Sequence, residues 1–215
     1  MAAATSNRHE PASSLAVHGP PPSRHRAGLL HLEDLPVSPP SGSTPLVKCW
    51  AFTFVHGPSI MSIEQRLQAL NITLPPVAKP AAAYVPFVQT GSLVFISGHI
   101  ARRDGKPWVG QLGRTMTTAE GQQAARAIAI DLMGTLQAAC QAQGGTLEQV
   151  KRIVKVVSLV NSAPDYTEHH LVTNGCSELL GEVFGERGAH ARSAFGVAQL
   201  PMGACVEIEL VAELG

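Results

Sequence analysis

The 215-residue sequence predicts an α+β fold, a mostly antiparallel sheet carrying two helices on one face. Three observations lead there. Its periodic segments run strand–strand, helix, strand, helix, strand–strand, an order that builds one sheet with a helical layer. Both helical segments are amphipathic, so each has a face to bury. The last strand alternates cleanly: Val206, Ile208, Leu210 and Ala212 point one way, Cys205, Glu207, Glu209 and Val211 the other.

Composition divides the chain. Residues 1–60 hold over half of the 16 prolines, with Pro20-Pro21-Pro22 and Ser38-Pro39-Pro40-Ser41, and little to bury. They read as a disordered extension. Met61 is a second candidate start, because Ser62-Ile63-Glu64-Gln65 is a capping box opening a short helix to about Leu70. Residues 61–215 then form the domain.

In that domain Pro86-Phe87-Val88-Gln89 and Leu93 to Gly98 read as two strands broken at Thr90-Gly91-Ser92. Asp104-Gly105-Lys106-Pro107 is a turn. Thr117 and Glu120 form a second capping box before Ala125, Ile128, Leu132, Leu136 and Ala139, spaced three and four apart, and Gly144-Gly145 stops that helix. Val150 to Val160 is β-branched and continuous enough for a buried strand. Ser162-Ala163-Pro164-Asp165 is expected to start the second helix, with Tyr166, His169, Thr173, Cys176, Leu180 and Phe184 as its stripe. Ala191 to Leu214 is expected to be a hairpin turning at Leu200-Pro201-Met202-Gly203. The sheet face away from the helices, apolar along 93–96 and 206–210, is expected to pack on another subunit.

Charge and motifs exclude several chemistries. Residues 61–215 carry 12 Lys and Arg against 13 Asp and Glu, a net of −1, which argues against a nucleic-acid partner on electrostatic grounds. Cys49, Cys140, Cys176 and Cys205 lack C-x-x-C spacing, and no run approaches a membrane span. A cytoplasmic setting without membrane association follows as the expectation. His99, His169, His170 and His190 have no metal-ligand spacing and read as packed or surface histidines, so no metal or cofactor is expected. Glu178 and Glu182 fall on the solvated side of the second helix. There is neither a P-loop nor a G-x-S-x-G elbow. What survives is Arg192 with Glu207 and Glu209, either a structural pair or a binding site.

Those residues also carry a resemblance. Ala191-Arg192-Ser193, then Leu200-Pro201, then Val206-Glu207-Ile208-Glu209 resembles the C-terminal signature of the RidA/YjgF family, the reactive-intermediate deaminases. Ile96-Ser97-Gly98-His99-Ile100 and Pro86-Phe87-Val88-Gln89 resemble two earlier segments of it. The likeness spans Ser62 to Leu214 and includes the fifteen-residue step from Arg192 to Glu207. It implies a chorismate-mutase-like fold, a homotrimer with a cleft at each subunit interface, and hydrolysis of enamines and imines to 2-keto acids and ammonia without a cofactor.

By that resemblance Glu207 is the catalytic group. Arg192 grips the substrate carboxylate, with Ala194, Phe87, Ser97 and Gly98 completing the substrate-binding set. Two positions depart from the archetype, which has cysteine where Ala194 stands and tyrosine where Phe87 stands. A side branch is therefore implied, either with a different substrate or without the deaminase activity. A non-catalytic trimer binding a small metabolite, or an endoribonuclease acting as a translation inhibitor, are the alternative functions.

Overall fold

A computed structural model describes residues 61–77 and 83–215, all within the unit Val55–Gly215; the expected extension 1–60 lies outside the described residues. Helix α1 (Ile63–Ala69) starts at its capping box: the Gln65 amide donates to Ser62 Oγ, and the Ser62 amide donates to Gln65 Oε1. Strands β1 (Phe87–Thr90) and β2 (Leu93–Ile100) follow as an antiparallel pair. A minor hairpin, β3 (Arg102–Arg103) and β4 (Lys106–Pro107), turns through Asp104 and Gly105, both at positive φ. Helix α2 (Thr118–Gln141) begins at the Thr117–Glu120 capping box, and its stripe of Ala125, Ile128, Leu132, Leu136 and Ala139 is buried.

After β5 (Val150–Asn161), helix α3 runs His169–Phe184, not from the Ser162–Asp165 start expected. Backbone pairing wins there. Ser162 bridges Leu112, and the Ala163 amide donates to the Leu112 carbonyl, so 162 and 163 are committed before a helix could use them. Helix α3 consequently opens on Glu168 with no side-chain cap. Thr173, Cys176, Leu180 and Phe184 are its buried stripe as expected, and Gly185 at positive φ ends it.

Strands β6 (Ala191–Val197) and β7 (Val206–Leu214) complete a five-stranded sheet of order β1-β2-β7-β5-β6. The closing segment is thus not a hairpin. Strand β6 pairs parallel with β5, and β7 pairs antiparallel with β5 and β2. The connection from Val197 to Val206 is long enough to step over the end of β5, and it places Met202 at positive φ. Parallel neighbours need a crossover, and α3 is that crossover, lying over the sheet beside α2.

Val94, Ile96, Val156, Ile208, Leu210 and Ala212 meet the helices and are buried. Contrary to expectation, 206–210 therefore contributes its apolar residues to the helix side. The open side is apolar through other residues: Val88, Phe95 and Phe195 are each about half exposed there, beside half-buried Val157, Leu159 and Val211. Among the described residues no helix is long and apolar enough to cross a membrane, and no cluster of three His, Cys, Asp or Glu could hold a metal ion. Cys140, Cys176 and Cys205 are free and buried; burial pushes the Cys176 thiol up to about 12 and that of Cys205 up to about 11.

The two helices approach closely at Gly175. A Cβ there would overlap the Gln122 backbone carbonyl of α2. Replacing glycine with alanine in a helix favours the helix by ~1 kcal/mol, but here it must push a backbone aside. The Gly175→Ala variant is expected to lose about 1–3 kcal/mol net, as overpacked cores do, seen as a lower urea midpoint with an unchanged slope.

Candidate functional site

Strand β2 is irregular at Ser97-Gly98. Ile96 faces Leu210, but the next pair in register is His99 with Ile208, so two residues of β2 oppose the single residue Glu209 of β7. Such a bulge re-aims side chains. The Ser97 hydroxyl donates to the Val85 carbonyl at 2.7 Å, and the Ser97 amide donates to the Pro86 carbonyl. Gly98 leaves its space to Glu207: a Cβ on Gly98 would overlap the Glu207 carboxylate. Glycine is needed here for room and not for backbone freedom, since its φ is not in the left-handed region.

Glu207 is half-buried on the open side of the sheet. Burial, and secondarily the charge of Glu209 two residues on, raise its carboxyl above the ordinary glutamate value. No ion pair reaches it among the described residues. A proton-accepting carboxylate that is partly desolvated and lacks a cation is suited to positioning water and moving protons. A shallow cavity of about 250 Å³ opens on the same side, lined by Ser97, Glu209, Lys155, Val157, Phe95 and Val88 among others. A larger one, about 510 Å³, is walled by Gly113–Thr118 and Tyr166 and contains none of the site residues named above.

Arg192 stands elsewhere. It pairs with Val156, whose side chain is buried beneath the helices, so Arg192 points to the helix side of edge strand β6. Its Nη1 donates to Asn174 Oδ1 at 2.9 Å and to Ser177 Oγ at 3.1 Å, and its Nη2 donates to the His170 carbonyl at 3.2 Å. A guanidinium has five N–H donors. Three are held by α3, leaving Nε–H and one N–H of Nη2 without a partner among the described residues. Those two nitrogens are the pair that grips a carboxylate side-on. Ala194 lies two residues on, on the same face and half-buried.

The two halves of the sequence-derived site do not meet inside one subunit. Ser97, Gly98 and Glu207 gather at the β2–β7 junction, whereas Arg192 and Ala194 lie beyond β5 and on the other face. Phe87, packed against the core from β1, is at the opposite edge of the sheet from Arg192. Four strand spacings of ~4.8 Å separate those edges by roughly 19 Å.

Two residues were missed by sequence reasoning, Asn174 and Ser177, which hold Arg192; His190, expected as a packed or surface histidine, is half-buried behind them. His170, Asn174 and Ser177 recur at steps of four and three, a polar stripe beside the buried one, and that spacing was a readable signal. The other histidines are structural. Nδ1 of His99 lies 2.8 Å from the Ser97 carbonyl and Nε2 2.9 Å from Thr135 Oγ1 on α2, and burial lowers its pKa below the usual histidine value. His169 lies 3.0 Å from Ser162 Oγ and stacks edge-on with Tyr166.

The fold is an α+β layer with a bulged β2 beside Glu207 on β7 and with Arg192 on the parallel edge strand β6. The chain belongs to the YjgF family: residues 64–214 match the family described as "YjgF/chorismate mutase-like, putative endoribonuclease". Protein TCP17 of Trypanosoma cruzi is 47% identical over 154 residues, covering 71% of this chain and 94% of that protein. Among solved structures, Atu1372 of Agrobacterium tumefaciens, a protein of unknown function, is 40% identical and superimposes with a TM-score of 0.64 over 71% of this chain and 94% of its own. A Shewanella oneidensis MR-1 protein bearing the endoribonuclease designation is 32% identical, with a TM-score of 0.67, over 72% of this chain and all of that one.

Because the Glu207 carboxyl is held above its ordinary pKa, its ionised form opposes folding at neutral pH. The Glu207→Gln variant is expected to have a higher urea midpoint than the parent at pH 7. That advantage fades as pH falls through the raised pKa and Glu207 takes up its proton. Urea melts at pH 7 and pH 4 measure both.

Proposed function

We propose that this chain hydrolyses small carboxylate-bearing imines and enamines of amino-acid metabolism to 2-keto acids and ammonia, at a cleft completed by two copies of the chain. The observation that carries the reading is the Glu207 carboxylate, lodged against Gly98 with no ion pair among the described residues. Water adds across the C=N bond, and the resulting carbinolamine expels ammonia as its C–N bond breaks. Glu207 takes a proton from the attacking water and returns one to the departing nitrogen. An imine carbon is already electrophilic, so positioning and one proton relay are what the site must supply.

Arg192 supplies the other half, its α3-held guanidinium offering Nε–H and an Nη2–H to the substrate carboxylate. Ala194 orients the substrate through its backbone, Ser97 and Gly98 border the Glu207 side, and Phe87, which faces the helix layer beside Ile96, lines the cleft from β1. Arg192 and Glu207 occupy opposite faces, so one substrate can touch both only where the β6 edge of one copy meets the open face of the next. Self-association of that kind covers the exposed Phe95, Phe195 and Val88, and a closed homotrimer is the assembly this reading takes. The absence of the archetypal tyrosine at Phe87 and cysteine at Ala194 leaves a less polar cleft, which favours a different side chain on the substrate.

The test generates 2-iminobutanoate from threonine with a dehydratase and traps survivors with semicarbazide. Addition of this protein is expected to deplete the trapped fraction. Arg192→Ala should weaken the effect by about 10- to 150-fold, the ~1.5–3 kcal/mol of lost charge-assisted hydrogen bonds. A decay rate indifferent to the protein rejects the activity. Saturable 2-oxobutanoate binding without turnover would instead support a non-catalytic metabolite-binding trimer, and RNA cleavage with salt-dependent binding would support the endoribonuclease designation.

A further inference from the structure

We infer that His190 is a positioning residue for Arg192, acting through Ser177 to fix which donors the guanidinium can present to a ligand. The inference rests on the carboxylate-binding reading of Arg192 for its functional consequence, but not for its structural content. His190 opens the turn into β6, and its imidazole is half-buried between that turn and α3. Its Nδ1 lies 2.6 Å from the Gly188 carbonyl and its Nε2 lies 3.0 Å from Ser177 Oγ.

The proton positions follow from chemistry alone. A carbonyl oxygen only accepts, so Nδ1 carries hydrogen and, in the neutral ring, Nε2 carries a lone pair. The Ser177 hydroxyl must then donate to Nε2. With its single proton committed, Ser177 Oγ turns a lone pair toward Arg192 Nη1 at 3.1 Å, while Asn174 Oδ1 takes the other Nη1 hydrogen at 2.9 Å. The chain Gly188–His190–Ser177–Arg192 thus has one direction throughout. Nη1 is saturated by protein, and the Nε–Nη2 edge stays available.

Protonating His190 reverses one link of that chain, the one between Ser177 and His190. Nε2 becomes a donor, Ser177 Oγ must accept from it, and a second cation stands one hydroxyl away from Arg192. The groups facing His190 are Ser177 from α3, Gly188 from the preceding turn and Arg192 from β6; Arg187, in that same turn, is turned toward Glu148 and the Val150 carbonyl. Burial, and secondarily the Arg192 charge, lower the His190 pKa below the usual value, so the ring is neutral near pH 7 and charges only on acidification. The Arg192 grip should therefore weaken as pH falls below the ordinary histidine range.

Two measurements test this. The first needs no ligand: the guanidinium 15N–1H signals of Arg192 are expected to show slow Nη rotation in the parent, averaged in His190→Phe and Ser177→Ala, and retained in His190→Gln, whose Oε1 can still accept from Ser177. The second is 2-oxobutanoate binding by calorimetry. His190→Phe should weaken it about 3- to 10-fold and His190→Gln less than 2-fold, and the acid-side loss of affinity in the parent should be absent from His190→Gln. Ser177→Ala with His190→Phe should be no worse than Ser177→Ala alone, because both remove one relay.

Slow rotation unaffected in His190→Phe overturns the inference, as does a pH step that persists in His190→Gln. If Arg192→Ala binds 2-oxobutanoate like the parent, the carboxylate reading fails while the ordering of Arg192 is still decided by the nitrogen signals. If His190→Phe does not fold, Ser177→Ala and His190→Gln carry the same two readouts.

Discussion

The parallel pairing of β6 with β5 is the constraint on which the rest depends. A parallel neighbour cannot be reached by a tight turn, so the chain must leave the sheet, travel back as α3 and re-enter. The same requirement lays α3 across the sheet and brings His170, Asn174 and Ser177 over the strand it delivers. It also inserts β5 between β6 and β7. Fifteen residues link Arg192 to Glu207 in the chain, but the connection has to step over a strand, and the alternation of side chains across that path leaves them on opposite faces. A site using both is intermolecular for reasons of topology.

The two charged groups are prepared in contrasting ways. Arg192 is surrounded by acceptors that hold it without neutralising it, two side-chain oxygens and one backbone carbonyl. A carboxylate partner would have consumed the side-on edge. Glu207 has no hydrogen-bond donor among the described residues: Gly98 makes room, burial discourages its charge, and Glu209 adds to that effect. One group is rigid and still charged, the other unpartnered and reluctant to ionise. Such opposed preparation is not that of a structural ion pair, whose members would satisfy each other.

Much of this was legible in the residues. Capping boxes at Ser62 and Thr117, the three-and-four spacing from Ala125 to Ala139, and the strict alternation after Val206 each report a local rule, and each local rule was obeyed. The failures share a cause as well. Ser162 and Ala163 look like a helix start but are claimed by the backbone of Leu112, fifty residues earlier in the chain. The segment 191–214 looks like a hairpin because both arms are strands, and nothing in either arm says that a third strand intervenes. The partners of Arg192 were overlooked because a search for opposite charge passes over amide, hydroxyl and carbonyl groups. Long-range pairing decides these points, and a linear pattern does not encode it.

The three buried thiols have a consequence of their own. With Cys176 pushed up to about 12 and Cys205 up to about 11, the thiolate form that alkylating reagents and peroxides attack is scarce at neutral pH. Their sulfurs are packed into the interior and become reactive only when the surrounding layers part. Reagent uptake at Cys140, Cys176 and Cys205 therefore serves as a built-in gauge of how often the native packing opens, and those three thiols are spared oxidation for as long as it stays closed.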